Sequence, residues 1–127
     1  MIVNTGPYTR LEIFAKETAP GGCVRLLTGN QDCMESFAGK ASYAWLKFDL
    51  EPYREYEIQC VSCEVTLCYL CGNDNILETG VQYLEKNPEN RRFEPVKPAD
   101  WYDRPTRESY HFAPWKNWIN DPNGLCW

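Results

Sequence analysis

The sequence has a single histidine and two methionines, and no apolar run that approaches the ~20 residues needed to cross a bilayer as a helix. A membrane-spanning helix is therefore excluded, and no membrane partner is expected. Basic residues are also scarce: 13 Lys and Arg stand against 18 Asp and Glu, a formal net charge of −5. Nucleic-acid binders usually carry a basic face, so nucleic acid is not expected as a partner either. The opening segment, Met1-Ile2-Val3-Asn4-Thr5-Gly6-Pro7, lacks both the basic start and the apolar stretch of a signal peptide. This reads as a soluble chain in the cytoplasm. No segment keeps a helical period, which removes the all-α folds. What is present is apolar enough for a core: at 43% hydrophobic the chain is not of the disordered class. Its 127 residues suit one domain, with room for an appended segment.

Composition shifts along the chain. Six of the seven cysteines lie between Cys23 and Cys71, whereas six of nine prolines fall between Pro88 and Pro122 and four of five tryptophans between Trp101 and Trp127. A boundary is thus expected near residues 85–95. The first zone reads as strands. In Tyr8-Thr9-Arg10-Leu11-Glu12-Ile13-Phe14, Leu11 and Ile13 share a face. Gly21-Gly22 introduces Cys23-Val24-Arg25-Leu26-Leu27, and Gly29-Asn30 ends it. In Tyr43-Ala44-Trp45-Leu46-Lys47-Phe48-Asp49, Ala44, Leu46 and Phe48 form the core side, with Tyr43, Trp45, Lys47 and Asp49 opposite. Two further runs, 55–60 and 64–70, are rich in β-branched and aromatic residues, and Gly72-Asn73-Asp74-Asn75 is a turn. Asp32 to Lys40 is the one stretch read as a turn of helix. Five or so short strands with turn signals between them predict an all-β fold, a small antiparallel β-sandwich over residues 1–88. From 89 to 109, prolines and charges alternate, as in an extended connector.

Cys60-x2-Cys63-x4-Cys68-x2-Cys71 invites a zinc reading. Paired ligands are usually separated by about 12–20 residues, and four residues leave no room for a turn on each side of a metal. In a continuous strand Cys60 and Cys63 would also face opposite ways. Reduced cysteines that pack as small hydrophobes fit better, so no metal and no cofactor is expected.

The last eighteen residues are the most informative. Asn120-Asp121-Pro122-Asn123-Gly124 is dense in turn formers. Pro122 restricts Asp121 to extended geometry, so the turn holds one carboxylate in a fixed orientation. Trp115, Trp118 and Trp127 surround it in the sequence. Flat rings beside a fixed carboxylate and an amide make a sugar site; equally, the same residues make a hairpin turn with packed tryptophans.

The run Tyr110-His111-Phe112-Ala113-Pro114, followed by Trp118-Ile119-Asn120-Asp121-Pro122-Asn123-Gly124-Leu125, resembles the entry motif of the family 32 glycoside hydrolases, the invertases, fructan hydrolases and levanases. That motif is Tyr-His-Phe-x-Pro, then Trp-Met-Asn-Asp-Pro-Asn-Gly. Arg104-Pro105 matches the family's lead-in. Ile119 stands where methionine is usual, a swap of similar size, and Asn117 stands where glycine is common. The resemblance covers roughly residues 100–127. It implies that 110–127 opens a five-bladed β-propeller that the chain otherwise lacks, and that the first zone is the small accessory β domain some members carry before it.

By the same resemblance Asp121 matches the catalytic nucleophile, Asn120 a residue that binds fructosyl hydroxyls, and Trp118 the apolar wall beside the sugar. His111 matches a structural position, and Trp115 lies outside the pattern. The implied reaction is a double displacement on a terminal β-fructofuranosyl bond, with sucrose, a fructo-oligosaccharide or a fructan as substrate. It needs a second carboxyl about 5–5.5 Å from the nucleophile. The family supplies this from a Glu-Cys motif, with a third carboxylate from Arg-Asp-Pro. Cys63-Glu64 and Asp103-Arg104-Pro105 run in the wrong order and precede Asp121, so neither is assigned. The 127-residue chain is therefore expected to be inactive alone. The competing expectation is a non-catalytic β-sandwich that binds carbohydrate or a partner. Tyr43 and Trp45, on one strand face, are its candidate contacts, against core or interface packing.

Overall fold

A computed structural model describes residues 1–29, 33–87, 89–90 and 92–96. Nine strands form in chain order: β1 (Ile2–Asn4), β2 (Arg10–Glu17), β3 (Cys23–Leu27), β4 (Cys33–Phe37), β5 (Ala44–Asp49), β6 (Glu55–Val61), β7 (Cys63–Cys71), β8 (Gln82–Asn87) and β9 (Arg92–Pro95). A single helical turn, α1 (Ile76–Thr79), precedes β8. Contacts group Met1–Val96 into one unit. The all-β expectation is met, and no helix among the described residues is long and apolar enough to cross a membrane.

The strands lie in one mixed sheet in the order β4-β3-β6-β1-β9-β8-β7-β2-β5. All pairs are antiparallel except β1 with β9, which run parallel through Ile2 and Arg92. β8 joins two halves of the sheet: Gln82 and Tyr83 pair with β7, and Leu84 to Asn87 pair with β9. The chain also crosses between halves at Ser62. β6 pairs with β3 and β1, whereas β7 pairs with β2 and β8, and the single residue between them takes φ of 46°.

The sheet curls until it nearly closes. Past the end of β4, Gly39 bridges Lys16 of β2. Glu17 N–H donates to the Gly39 carbonyl at 2.9 Å, and Gly39 N–H donates to the Ala15 carbonyl at 3.2 Å. Only glycine fits there, because a Cβ would collide with the carbonyl oxygen of Ser42. A bulge between Phe14 and Ala15, opposite β7, adds local twist.

The alternation read from the sequence dictates which side faces in. Leu11, Ile13 and Ala15 of β2 are wholly buried, and Leu46 and Phe48 of β5 are buried as expected. Val24 and Leu26 of β3, Tyr56 and Ile58 of β6, and Cys68 and Leu70 of β7 complete one core that both halves share.

One local expectation is overturned. Residues 33–37 form β4 and not a turn of helix; the strand pairs with β3 from Cys23↔Phe37 to Leu27↔Cys33. Hydrogen bonds from β3 outweigh the local preference, as edge pairing commonly does in β proteins. Within the segment expected to be a connector, Arg92–Pro95 form β9, and Phe93 is buried.

Candidate functional site

Asp121, Asn120 and Trp118, the residues matched to nucleophile and sugar contacts, lie outside the described residues, as do His111 and Trp115. The described candidates are Tyr43 and Trp45. Their surroundings follow from register. Partners directly opposite in a sheet project from the same face. Across β5, β2 and β7 this puts Asp49, Arg10 and Cys71 in one outward row, and Lys47, Glu12 and Tyr69 in the next. The third row holds Trp45, Phe14 and Leu67. Tyr83 of β8 pairs with Tyr69 and extends the second row.

The rings in these rows touch. Phe14 stacks on Tyr43 with centroids 5.2 Å apart and meets Trp45 at a tilt, with centroids 4.7 Å apart. Trp45 meets Tyr69 edge-on at 5.7 Å, and Tyr69 meets Tyr83 in the same way at 5.7 Å. Five aromatics thus form a continuous band on the outer face of four strands. Trp45 is 45% exposed and stands on β5, an end strand of the sheet.

Polar groups are set into the band. The Tyr69 hydroxyl donates to Glu12 Oε2 at 2.6 Å, and the Tyr43 hydroxyl donates to Glu64 Oε1 at 2.6 Å. Glu12 has a side chain only 14% exposed, with Lys47 Nζ 4.0 Å away, while Arg10 Nε pairs with Asp49 at 3.2 Å. Burial, then the Glu12 carboxylate, pushes the Tyr69 phenol well up. The bond to Glu64 raises that of Tyr43. Both phenols therefore stay protonated and donate at neutral pH. Sequence reasoning singled out Tyr43 and Trp45 but not Phe14, Tyr69 or Tyr83. These come from distant strands, and only pairing brings them together.

Three comparisons bear on what this unit is. No family model matches the chain. A stretch of 26 residues is 65% identical to the extracellular exo-inulinases of Aspergillus niger and Aspergillus awamori; it is 20% of this chain and 5% of those proteins. The fold matches a glycoside hydrolase family 32 structure from Bifidobacterium adolescentis with a TM-score of 0.78 and 28% identity, over 99% of this chain and 20% of that one. This chain resembles a glycoside hydrolase family 32 protein over nearly its whole length. It spans about a fifth of the length of the solved family 32 protein that it matches.

The four cysteines of the zinc reading, Cys60, Cys63, Cys68 and Cys71, do not converge. Cys60 stands one residue before the end of β6 and Cys63 begins β7, so the stretch is not one continuous strand, and both side chains pack against the core. Cys63 Sγ donates to the Cys23 carbonyl at 3.3 Å. Burial, then the neighbouring Cys60, lifts the Cys63 thiol to about 11. Cys71 lies eight residues further along β7, roughly 26 Å away at strand rise. It faces outward beside Glu12, whereas Cys68 is buried. Among the described residues no group of three or more His, Cys, Asp or Glu could hold a metal ion. A cleft of about 390 Å³ near the open end of the curl is lined by Met34, Leu50, Tyr56 and the ion-paired Glu51 and Arg54.

Proposed function

We propose that this chain is the N-terminal part of a retaining glycoside hydrolase that cleaves terminal β-D-fructofuranosyl bonds in sucrose or fructans. The observation that carries this is the family 32 likeness, which extends over 99% of the chain. The dense local identity to exo-inulinases supports a fructan-type substrate. In this proposal the unit Met1–Val96, which takes in β9, is an accessory β-sandwich, the connector follows it up to 109, and 110–127 is the first strand of a five-bladed propeller. A cytoplasmic location, where thiols stay reduced, goes with Cys23 buried and Cys60 and Cys63 packed at the core.

The assigned chemistry is double displacement. Asp121 attacks the anomeric carbon of the fructosyl unit, and a carboxylic acid beyond this chain protonates the leaving oxygen. Water then resolves the fructosyl-enzyme. The nucleophile must stay ionised, so its surroundings are expected to be polar and hydrogen-bonded. Asn120 binds fructosyl hydroxyls, and Trp118 walls the apolar side of the ring.

The test uses the longer protein and this chain in parallel. The 127-residue chain should release no fructose from sucrose or inulin. In the longer protein Asp121→Asn should abolish hydrolysis while circular dichroism and melting stay unchanged. Near-normal turnover in that variant excludes Asp121 as the nucleophile. A second reading, a non-catalytic carbohydrate-binding module, is favoured by the exposed aromatic band. It predicts binding that survives Asp121→Asn.

A further inference from the structure

We propose that the aromatic outer face of β5-β2-β7-β8 binds a neutral polysaccharide chain of fructose units, at a site separate from Asp121. The proposal rests on the family reading for the identity of the sugar, and on geometry for the site. A polar outer face is the usual state of a sheet packed on one side only. This one carries five rings in contact, more than the scattered single hydrophobics that need no explanation. Trp45 is the most exposed large ring in the band, at 45%. It packs on Phe14 from one side, and among the described residues β5 has no further strand hydrogen-bonded beyond it.

The charge pattern selects the ligand. Cores of protein–protein interfaces are depleted in charged side chains. Here Glu12 lies within the band, and Lys47, Arg10, Asp49 and Glu64 border it, so a protein partner would leave several charges to be desolvated. Carboxylates, and phenols whose hydrogens are already given to Glu12 and Glu64, instead suit a ligand of many hydroxyls, which donates to the remaining lone pairs of both. Acids and bases alternate across the face, so an anionic polymer gains no net attraction. A sugar ring supplies both an apolar C–H face for tryptophan and hydroxyls for Glu12 and Tyr69. A chain of such rings can cover the several strands that the band crosses.

The experiment is native electrophoresis of the 127-residue chain through gels cast with inulin or levan, with dextran as the comparison. Retardation is expected in the fructan gels. Trp45→Ala should weaken apparent affinity roughly tenfold. Tyr53→Ala, a change at an exposed ring in the turn before β6, should migrate as the parent does. In solution, fructo-oligosaccharide should shift the Trp45 indole N–H signal and those of Phe14 and Tyr43; this reading needs no variant to fold. The proposal is overturned if neither fructan retards the chain, if Trp45→Ala is retarded as strongly as the parent, or if only dextran retards it. Signal shifts confined to other residues overturn it too. So does a dimer that dissociates on Trp45→Ala with no fructan retardation, because the face would then be an interface between copies. Binding is read without hydrolysis. Loss of retardation therefore counts against this surface alone, and unchanged hydrolysis in Asp121→Asn counts against the catalytic assignment alone.

Discussion

The two outer faces of the curled sheet are built from the same alternation and differ in what the alternation carries. On β5-β2-β7-β8 the outward positions hold Trp45, Phe14, Tyr69 and Tyr83, with carboxylates set among them. On β4-β3-β6-β1-β9 the outward rows are Glu35, Arg25 and Gln59, then Cys33, Leu27, Glu57, Ile2 and Arg92, then Phe37, Cys23 and Val61. There Arg25 Nε meets Glu35 Oε2 at 2.5 Å, and Phe37 is the one outward ring on these strands among the described residues. Inward positions on both halves are Leu, Ile, Val, Tyr and Phe in a single core. Packing therefore demands nothing different of the two faces. The connected rings on one of them are surplus to the fold, and a surplus apolar cluster is where a ligand is to be sought.

The largest effects should ignore the contrast. Ile13 and Ile58 are both fully buried, one in each half. Ile13→Ala and Ile58→Ala should each cost about 2–5 kcal/mol in urea unfolding, and both should unfold the chain in one transition. A variant that melts only one half would break the picture of a shared core.

Smaller effects should separate the faces. Phe14 contacts two other rings, so Phe14→Ala should cost about 2 kcal/mol. Gln59→Ala, at a comparable central position on the other face, should stay within about 0.5 kcal/mol. Equal losses would mean that the rings contribute no more to stability than a polar surface does.

The smallest effects are set by pH, and they run in opposite directions. Bonds from Arg25 hold the Glu35 carboxyl below its ordinary 4.5, and those from Asn87 and Asn90 do the same for Glu94. A depressed carboxyl contributes stability that is present above 4.5 and is lost as pH falls through the folded value. Tyr69 and Tyr43 are raised above 10.0, so their contribution is present below that pH and is lost as pH rises through the folded values. In stability measured from acid to alkali, Glu35→Gln should flatten the acid limb and Tyr69→Phe the alkaline limb. An exchange of the two outcomes would reverse the electrostatic assignment of the faces.

How much of this was legible in the sequence depends on whether a feature is local. β2, β3, β5, β6 and β7 were readable because apolar alternation is written residue by residue, and Leu46 and Phe48 turned inward as that pattern required. β1 and β9 are three and four residues long, too short to show a period. β4 was misread because its strand state comes from β3 and not from its own residues. The aromatic band was half legible. Tyr43 and Trp45 are neighbours in sequence, but Phe14, Tyr69 and Tyr83 join them only through strand register. The Asp121 motif is the reverse case: it is written in consecutive residues, and it lies outside the described structure.

The parallel pairing of β1 with β9 has a consequence for how the unit forms. Ile2 finds one of its neighbours at Arg92, near the far end of the folded unit. Contacts so distant in sequence close large loops and slow folding. During synthesis the first strand therefore waits, held on one side by β6, until nearly the whole unit has left the ribosome. Its second edge stays open to wrong partners for that interval.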